Sequence, residues 1–416
     1  MKKLSKLIAA CLLTSVFAGC TKDFVYEHYT FYRPVYVTKD EVKVNIKSSP
    51  AVAIENPGKI FIKGNYLFLN DVNKGVHIID FSNPALPINK AFINIPGCKD
   101  IAVKDNYIYA DCYTDLVTID VADVNNVRLK NYINGVFPNR FYDAGIGTDT
   151  SKVIQEWVKV DTMVKRQAGV EEDIIWGGGI WMSNPSSLST SNSSGSQGNG
   201  TGGSMASFAL LNNRLYTVDH ANLKVFNTSN ASAPQYVANI NLGSWNIETI
   251  YPFKDKLFIG SQSGMLIYSV SNPDAPSALG SFSHARQCDP VIADDNTAYV
   301  TLRSGTFCTG ADNQLDVLNI QNVLNPQLIK TYPMTNPAGL SKDGNALLIC
   351  DGSSGLRLFD AADNNNITHK AAILSIVPYD VIAWNGTAIV SAADGIYFVS
   401  YALPNLLSIK GKINVN

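Results

Sequence analysis

The chain has 416 residues, of which 46% are hydrophobic and 16% charged, and its formal net charge is −2. This length is well beyond that of one ordinary domain, so burying a core is not limiting. The lysines and arginines are scattered rather than clustered, so the sequence lacks the basic surface typical of nucleic-acid binding. We therefore expect no nucleic-acid partner.

Residues 1–19 have the pattern of a secretory signal peptide. Three lysines precede a largely apolar run over residues 7–18, which is too short to span a bilayer. The sequence "FAGC" at 17–20 resembles the lipobox of bacterial lipoproteins, in which the cysteine becomes the lipidated N-terminus. The resemblance implies that Cys20 carries acyl chains such as palmitate in the bacterial cell envelope, and we expect the outer membrane. The alternative is cleavage after Ala18, with Cys20 an unmodified thiol.

Residues 20–56 form an N-terminal lead to the rest of the chain. The stretch "RPVYVTKDEVKVNI" shows partial strand alternation after a proline. We predict that this lead is a tether between the anchor and the folded domain, or that it lays an extra strand against that domain.

A short apolar segment then recurs along the chain at a spacing of roughly 40 to 50 residues, a period that indicates a repeat architecture. The copies are "VHIIDFSNP" at 76, "LVTIDVADV" at 116, "LKVFNTSNA" at 223, "MLIYSVSNP" at 265, "LDVLNIQNV" at 315, "LRLFDAADN" at 356 and "IYFVSYALP" at 396. One spacing, between 116 and 223, is longer because residues 139–203 interrupt the repeat.

Each copy lies within a set of four predicted short strands. Hairpin turns such as Asp105-Asn106 and Asn385-Gly386 precede it, and Asn83-Pro84 ends the first copy. Four short strands per repeat are the signature of a propeller blade, and segments apolar on both faces fit blades packed between two others. We predict an all-β fold, a β-propeller of seven four-stranded blades, with six or eight as alternatives. Blades 1–2 occupy residues 57–138 and blades 3–7 occupy residues 204–416.

The repeats resemble the LVIVD repeat of bacterial and archaeal surface proteins, and "LVTID" at 116 is the nearest spelling. The resemblance covers roughly residues 57 to 416 apart from the insertion. That family is regarded as a propeller of mainly unknown function. It therefore implies a fold and an envelope location, and it supplies no catalytic residue.

The insertion at residues 139–203 combines two kinds of sequence. Its end runs into a Ser/Gly/Asn tract, "SSLSTSNSSGSQGNGTGGS" at 186–204, which we expect to be mobile because it cannot build a core. Its earlier part carries Trp157, Trp176 and Trp181, which can stack on sugar rings or anchor a protein partner. The alternative is that these rings clamp the insertion onto the outer edge of a blade.

Five cysteines follow Cys20, in a chain whose export permits disulfides: Cys98, Cys112, Cys288, Cys308 and Cys350. We predict a Cys288–Cys308 disulfide that pins the long loop "RSGTFCTGADNQ". Hairpin register could also pair Cys98 with Cys112, and the alternative is two buried thiols. No Cys/His spacing predicts zinc.

Candidate ligand residues lie where the innermost strands begin, at the channel mouth. Alignment on the hairpin turns places the following residues there: Lys59, Asp100, Glu248, Asp289 and Asp380. Converging carboxylates could bind calcium, or act as general acid and base, because crowded carboxylates raise one another's pKa. The alternative is that each aspartate caps its own strand. We predict no other cofactor and no metal site with a recognisable ligand motif.

Catalytic spacing is not evident in the sequence: it contains no G-x-S-x-G elbow and no HExxH motif. We therefore predict a lipid-anchored, non-catalytic module of the cell envelope that binds or scaffolds a protein or glycan partner. The alternative is a carbohydrate-active hydrolase or lyase that uses the acidic residues at the channel mouth.

Overall fold

The structure is a computed structural model that describes residues 24–138, 151–167, 201–243, 246–283, 290–304 and 313–415. It divides into two compact units. The smaller unit contains a two-stranded sheet of β1 (Phe24–Thr38) and β11 (Lys152–Gln167), with strands and helices numbered in chain order. The larger unit contains a β-propeller.

Seven antiparallel four-stranded sheets form the propeller blades, and within each blade the strands are ordered as in the chain. Blades 1 to 3 comprise β3 (Pro57–Lys63), β4 (Tyr66–Asp71), β5 (Gly75–Asp80) and β6 (Ile88–Asn94); β7 (Ile101–Lys104), β8 (Tyr107–Cys112), β9 (Asp115–Asp120) and β10 (Arg128–Ile133); β13 (Phe208–Leu211), β14 (Arg214–Asp219), β15 (Asn222–Asn227) and β16 (Gln235–Asn241). The predicted all-β propeller of seven blades is confirmed.

Blades 4 to 7 follow without interruption by another sheet. They comprise β17 (Ile247–Phe253), β18 (Lys256–Ser261), β19 (Gly264–Ser269) and β20 (Ser277–Ser283); β21 (Val291–Ala293), β22 (Thr297–Leu302), β23 (Gln314–Asn319) and β24 (Gln327–Pro333); β25 (Leu340–Asp343), β26 (Ala346–Cys350), β27 (Leu356–Asp360) and β28 (Thr368–Ile373); β29 (Pro378–Trp384), β30 (Thr387–Ala392), β31 (Gly395–Ser400) and β32 (Ser408–Asn414). A short 3-10 turn, Gly352–Ser354, precedes β27.

Burial explains why the recurring segment is apolar on both faces. The third strand of blade 2, β9, is buried over five of its six residues, whereas the outermost strand of blade 5, β24, is mostly exposed. Inner strands are sandwiched between neighbouring blades, and outer strands face water. In all seven blades the pairing between the third and fourth strands contains one register shift. Such bulges increase the twist of each blade.

The ring closes by packing between blade 7 and blade 1. The inner strands contact one another in succession, and the last, β29, contacts the first, β3. Each blade has its own four strands, so the seam is a hydrophobic cluster in which the rings of Phe81 and Phe398 lie 5.7 Å apart. A parallel bridge between Ile54 and Val415 adds a backbone link across this seam.

Part of the N-terminal lead packs on the first two blades. Helix α1 (Lys39–Asn45) begins with a capping box formed by Thr38 and Glu41, and its Val42 is buried in the core of these blades. Strand β2 (Lys47–Pro50) then pairs antiparallel with β6 along the outer edge of blade 1. The lead therefore adds a fifth strand to the outside of blade 1.

The turn after the third strand has the same hydrogen bond in every blade. The last residue of that strand accepts a bond from the amide two residues later, which fixes an Asx-type turn. The acceptors are Asp80, Asp120, Asn227, Ser269, Asn319, Asp360 and Ser400. This local bond explains why the sequence repeats Asp, Asn or Ser at that position.

The described cysteines, Cys98, Cys112 and Cys350, are three buried thiols. The Sγ of Cys98 accepts a hydrogen bond from Asn70 Nδ2 at 3.3 Å, and the Sγ of Cys112 donates to the Pro96 carbonyl at 3.2 Å. Because Cys98 bonds to Asn70 on β4 and Cys112 bonds to the Pro96 carbonyl, and the two thiols are not joined, the interpretation of a Cys98–Cys112 disulfide is wrong. Burial raises the pKa of Cys112 to about 12 and that of Cys350 well above its usual value. Cys288 and Cys308 lie outside the described residues.

Candidate functional site

Residues 201–207, which we call the central segment, lie inside the ring of inner strands. Strand β12 (Thr201–Gly202) pairs antiparallel with β3, and the amide of Gly203 donates to the Ile60 carbonyl at 3.0 Å. The other edge of β3 is paired with β4, so the central segment runs along the channel side of blade 1.

Four further blades hold the central segment. The Leu340 amide of blade 6 donates to Ser204 Oγ at 2.7 Å, and the Ile250 amide of blade 4 donates to the Ala206 carbonyl at 2.9 Å. Ser207 binds an aspartate of blade 2, and Ser204 approaches one of blade 7. The central segment is therefore bonded to blades 1, 2, 4, 6 and 7.

This position overturns part of the prediction for the Ser/Gly/Asn tract. Thr201 is half-buried, and Gly202, Gly203 and Ser204 are buried, so the last four residues of the tract belong to the core. Small residues fit here because the backbone itself must pass between inner strands, and its polar groups bond to those strands. The rest of the tract lies outside the described residues.

Two predicted mouth residues, Lys59 and Asp100, form a buried ion pair. Lys59 Nζ lies 3.0 Å from Asp100 Oδ2, and both side chains are almost fully buried. The same Oδ2 accepts the amide of Ser207 at 2.5 Å and its hydroxyl at 2.8 Å. Asp100 Oδ1 accepts the Ile101 amide at 2.7 Å, so this aspartate also caps its own strand. Its carboxylate is therefore bound by blade 1, blade 2 and the central segment together.

Asp380, at the start of blade 7, is fully buried between two glycines. A Cβ atom on either Gly203 or Gly339 would overlap the Asp380 carboxylate. Ser204 Oγ donates to Asp380 Oδ1 at 3.4 Å, and the Gly339 amide donates to the Tyr379 carbonyl at 2.9 Å. The two glycines thus allow the central segment and blade 6 to close over this carboxylate.

Glu248 differs from the two aspartates because it is only half-buried. Gln262 Nε2 donates to Glu248 Oε1 at 2.9 Å. Burial raises the pKa of Glu248, while the Gln262 bond and the positive charges of Arg303 and Lys59 oppose the rise. Burial also lowers the pKa of Arg303, against the effect of Glu248. Arg303 was missed from the sequence, where its only signal is a cation directly after a buried strand.

A second set of acids at the mouth was also missed, and its role is structural. Each lies at the end of a blade's second strand and accepts two successive amides from the loop before that blade's innermost strand. They are Asp71, with the amides of Glu55 and Asn56; Asp111, with those of Lys99 and Asp100; and Asp351, with those of Thr335 and Asn336. The recurring strand-final aspartate in "YLFLND", "YIYADC" and "ALLICD" was the available signal.

The other predicted site residues are not brought to the mouth by any described contact. Trp157 lies half-buried on β11, in the smaller unit. Asp289, Trp176, Trp181 and Cys20 lie outside the described residues. Within the described ranges, no group of three or more His, Cys, Asp or Glu side chains could hold a metal ion, and no helix is long and apolar enough to cross a membrane.

Solved propellers resemble this chain at low identity. A functionally unknown protein from Desulfotomaculum acetoxidans is 10% identical, with a TM-score of 0.47 over 87% of this chain and 99% of that one. AztD from Citrobacter koseri is 9% identical, with a TM-score of 0.42 over 74% and 69%. PorZ, a surface component of the type-IX secretion system of Porphyromonas gingivalis, is 12% identical, with a TM-score of 0.46 over 87% and 39%. These scores carry no argument about function.

A family model matches two of the repeats. No curated protein matches the sequence. The LVIVD repeat matches residues 57–94 and 97–134, which span blades 1 and 2. The five remaining blades have the same strand order and, after the third strand, the same turn. The chain is therefore a seven-bladed β-propeller that carries LVIVD repeats in blades 1 and 2.

Proposed function

We propose that this protein is a lipid-anchored β-propeller of the bacterial cell envelope that binds or scaffolds a protein or glycan partner without catalysing a reaction. The central segment carries the proposal. It runs along the inner strands, and its serines bind the carboxylates of Asp100 and Asp380, so these acids hold the chain itself. We therefore expect the partner to bind to the outer surfaces of the rigid ring.

The lipid anchor is supported by the signal-like N-terminus and the "FAGC" sequence that ends at Cys20. We expect the native host to incorporate labelled palmitate into the protein and to hold it in the outer membrane. Replacing Cys20 by Ser should abolish the label and weaken the attachment of the protein to washed membranes. Label retained in the Cys20→Ser protein would contradict the anchor.

A cluster of exposed apolar residues supports a protein partner. Leu374, Val377 and Tyr379 are all exposed, with Leu374 exposed by 70%. Leu374 and Val377 lie in the connection between β28 and β29, and Tyr379 is the second residue of β29, so all three are on the mouth side of blades 6 and 7. Exposed apolar residues grouped in this way are typical of protein interaction sites.

Cross-linking in intact cells, followed by affinity purification and mass spectrometry, tests the partner. Three proteins are compared: wild type, Leu374→Ser/Val377→Ser, and a variant with residues 168–200 replaced by a Gly/Ser linker. The replacement ends at residue 200 because the central segment belongs to the core. The matched control is Leu324→Ser, a similarly exposed leucine on the opposite face.

We expect one partner to be recovered with wild type and the control, and lost with one of the two test variants. If all four proteins recover the same partner, the proposed surfaces are wrong. If none recovers a partner, the protein-binding form of the proposal fails, and glycan binding is then tested with envelope polysaccharides.

A hydrolase or lyase is the second candidate, and Glu248 is the observation that favours it. A general acid needs a carboxyl whose pKa is raised, and burial raises that of Glu248. The test is turnover of a glycan panel by wild type and by Glu248→Gln. We expect no turnover by either protein. Turnover by wild type that is lost in the variant would replace the binding proposal with an enzyme.

A further inference from the structure

The two-stranded sheet of the smaller unit carries an aromatic face. Side chains alternate along a strand, so Tyr26, Tyr32 and Tyr36 share one face of β1 with Thr30. The Thr30 hydroxyl hydrogen-bonds to the Asp161 carboxylate, which places the odd-numbered residues of β11 on that face. Five residues on this side of the sheet, which we call the aromatic face, are Tyr26, Tyr32, Tyr36, Trp157 and Met163.

This face is open to solvent at several positions. Tyr26 is 61% exposed, Tyr36 is 47% exposed and Met163 is 65% exposed, while Tyr32 and Trp157 are half-buried. A sheet of two strands is only marginally stable in water unless something covers it. Tyrosine and tryptophan combine an apolar ring with a polar tip, which suits them to the boundary between lipid and water.

The position of β1 in the chain indicates what covers the face. β1 begins at Phe24, and only residues 21–23 separate it from Cys20. The four residue steps from Cys20 to Phe24 span at most about 14 Å. This distance is less than half of the thickness of the hydrocarbon core of a bilayer, which is about 30 Å. If Cys20 is acylated, the first residue of β1 lies within about 14 Å of the anchored cysteine, close enough for β1 to reach the lipid headgroups.

We propose that the aromatic face lies against the headgroup region of the membrane that holds the lipid anchor, as a second membrane contact. The proposal rests on the proposed anchor at Cys20. A strand of 15 residues extends for about 50 Å, so it can follow the surface over several lipid headgroups. Lys159 and Asp161 lie on the same face and pair with each other at 3.2 Å, so their charges balance and the contact does not depend on anionic lipid.

Vesicle flotation tests the contact without the anchor. The mature chain with Cys20→Ser is mixed with vesicles of phosphatidylethanolamine and phosphatidylglycerol. We expect measurable binding, and we expect Tyr26→Ser/Tyr36→Ser to weaken it by at least about tenfold, since two exposed rings lose their place in the boundary. The matched control is Tyr66→Ser/Tyr236→Ser, which removes two exposed tyrosines of the propeller and should leave binding unchanged.

Tryptophan fluorescence gives a second readout that does not remove the tyrosines. Brominated lipids quench indoles at the headgroup boundary, so we expect partial quenching that is lost in Trp157→Phe. The conservative change keeps an aromatic ring and so preserves the sheet if the serine variant does not fold.

Each other outcome rejects the proposal. It fails if the Cys20→Ser protein does not bind vesicles, or if both double variants bind like the parent. It also fails if the parent forms dimers that Tyr26→Ser/Tyr36→Ser abolishes, because the face would then bind a second copy. Palmitate labelling is a separate measurement: label without vesicle binding rejects only the aromatic face, and vesicle binding without label rejects only the anchor.

Discussion

The two ends of the blades differ in the kind of contacts that their polar residues make. On the turn face, all seven connections after the third strand use the same side-chain-to-amide hydrogen bond over two residues. At the mouth, the innermost strands begin with different residues, among them Lys59, Asp100, Glu248 and Gly339. The turn face is built from local repeats, whereas the mouth is built from contacts between distant parts of the chain. Substitutions at the mouth should therefore cause larger losses of stability, and substitutions on the turn face should cause smaller losses that are similar from blade to blade.

The largest difference in the free energy of unfolding should be between substitutions of two glycines, one at the mouth and one in an open turn. In Gly203→Val the side chain would overlap the buried Asp380 carboxylate, and we expect insoluble protein or a loss of at least about 3 kcal/mol in the free energy of unfolding. Gly344→Ala, in an open turn with a φ of +55°, should cost only about 1 kcal/mol, the strain of a left-handed alanine. Urea unfolding followed by circular dichroism compares them. Equal losses would show that the central segment is not packed as described.

The next largest difference should come from two lysines. Lys59→Met leaves the buried Asp100 carboxylate without its cation, and we expect a loss of about 3 kcal/mol. Lys90→Met removes a partly exposed partner of Asp80 on the turn face, 3.1 Å away, and should cost less than about 1 kcal/mol. The measurement is again urea unfolding. If Lys90→Met is as costly as Lys59→Met, burial does not set the strength of the mouth ion pair.

Two asparagines test whether the turn hydrogen bonds contribute equally to stability in different blades. Asn227→Ala in blade 3 and Asn319→Ala in blade 5 each remove one hydrogen bond, to the amides of Ser229 and Gln321, at 2.9 Å in both cases. We expect each to cost about 1 kcal/mol. The double variant should show the sum, because the two sites share no partner. Clearly unequal losses would contradict the view that the turns are equivalent.

The smallest effect should be the pH dependence of Glu248. Its folded pKa lies above the usual value near 4.5, so the folded state disfavours the ionised carboxyl. This penalty is absent below the unfolded pKa and grows as the pH rises through the folded pKa. Glu248→Gln should therefore be slightly more stable than wild type at pH 7 and equal to it below about pH 4. A variant less stable than wild type at pH 7 would show that the Arg303 and Lys59 charges outweigh burial.

Sequence patterns predicted which residues lie at the mouth, but they did not predict which residues bond to them. Register along the hairpins was enough to place Asp100 and Asp380 at the starts of blades 2 and 7, because strand spacing is local. It could not show that Ser204 and Ser207 bond to these carboxylates, since they are separated by up to 176 residues in the chain. The buried thiols Cys98 and Cys112 are a similar case: their symmetry about a hairpin suggested a disulfide, but in the structure each thiol hydrogen-bonds to a different group.

The sequence by itself determined the repeat and the four strands of each blade, and it favoured seven blades over six or eight. These follow from hydrophobic patterns and turn residues that act over a few positions. Only the tertiary structure decided what lies inside the ring. A stretch of small residues has no hydrophobic signal, and Thr201–Gly202 becomes a strand only because the edge of β3 offers unpaired backbone groups to it. The course of such a segment depends on the surface it meets, which exists only after the ring has closed.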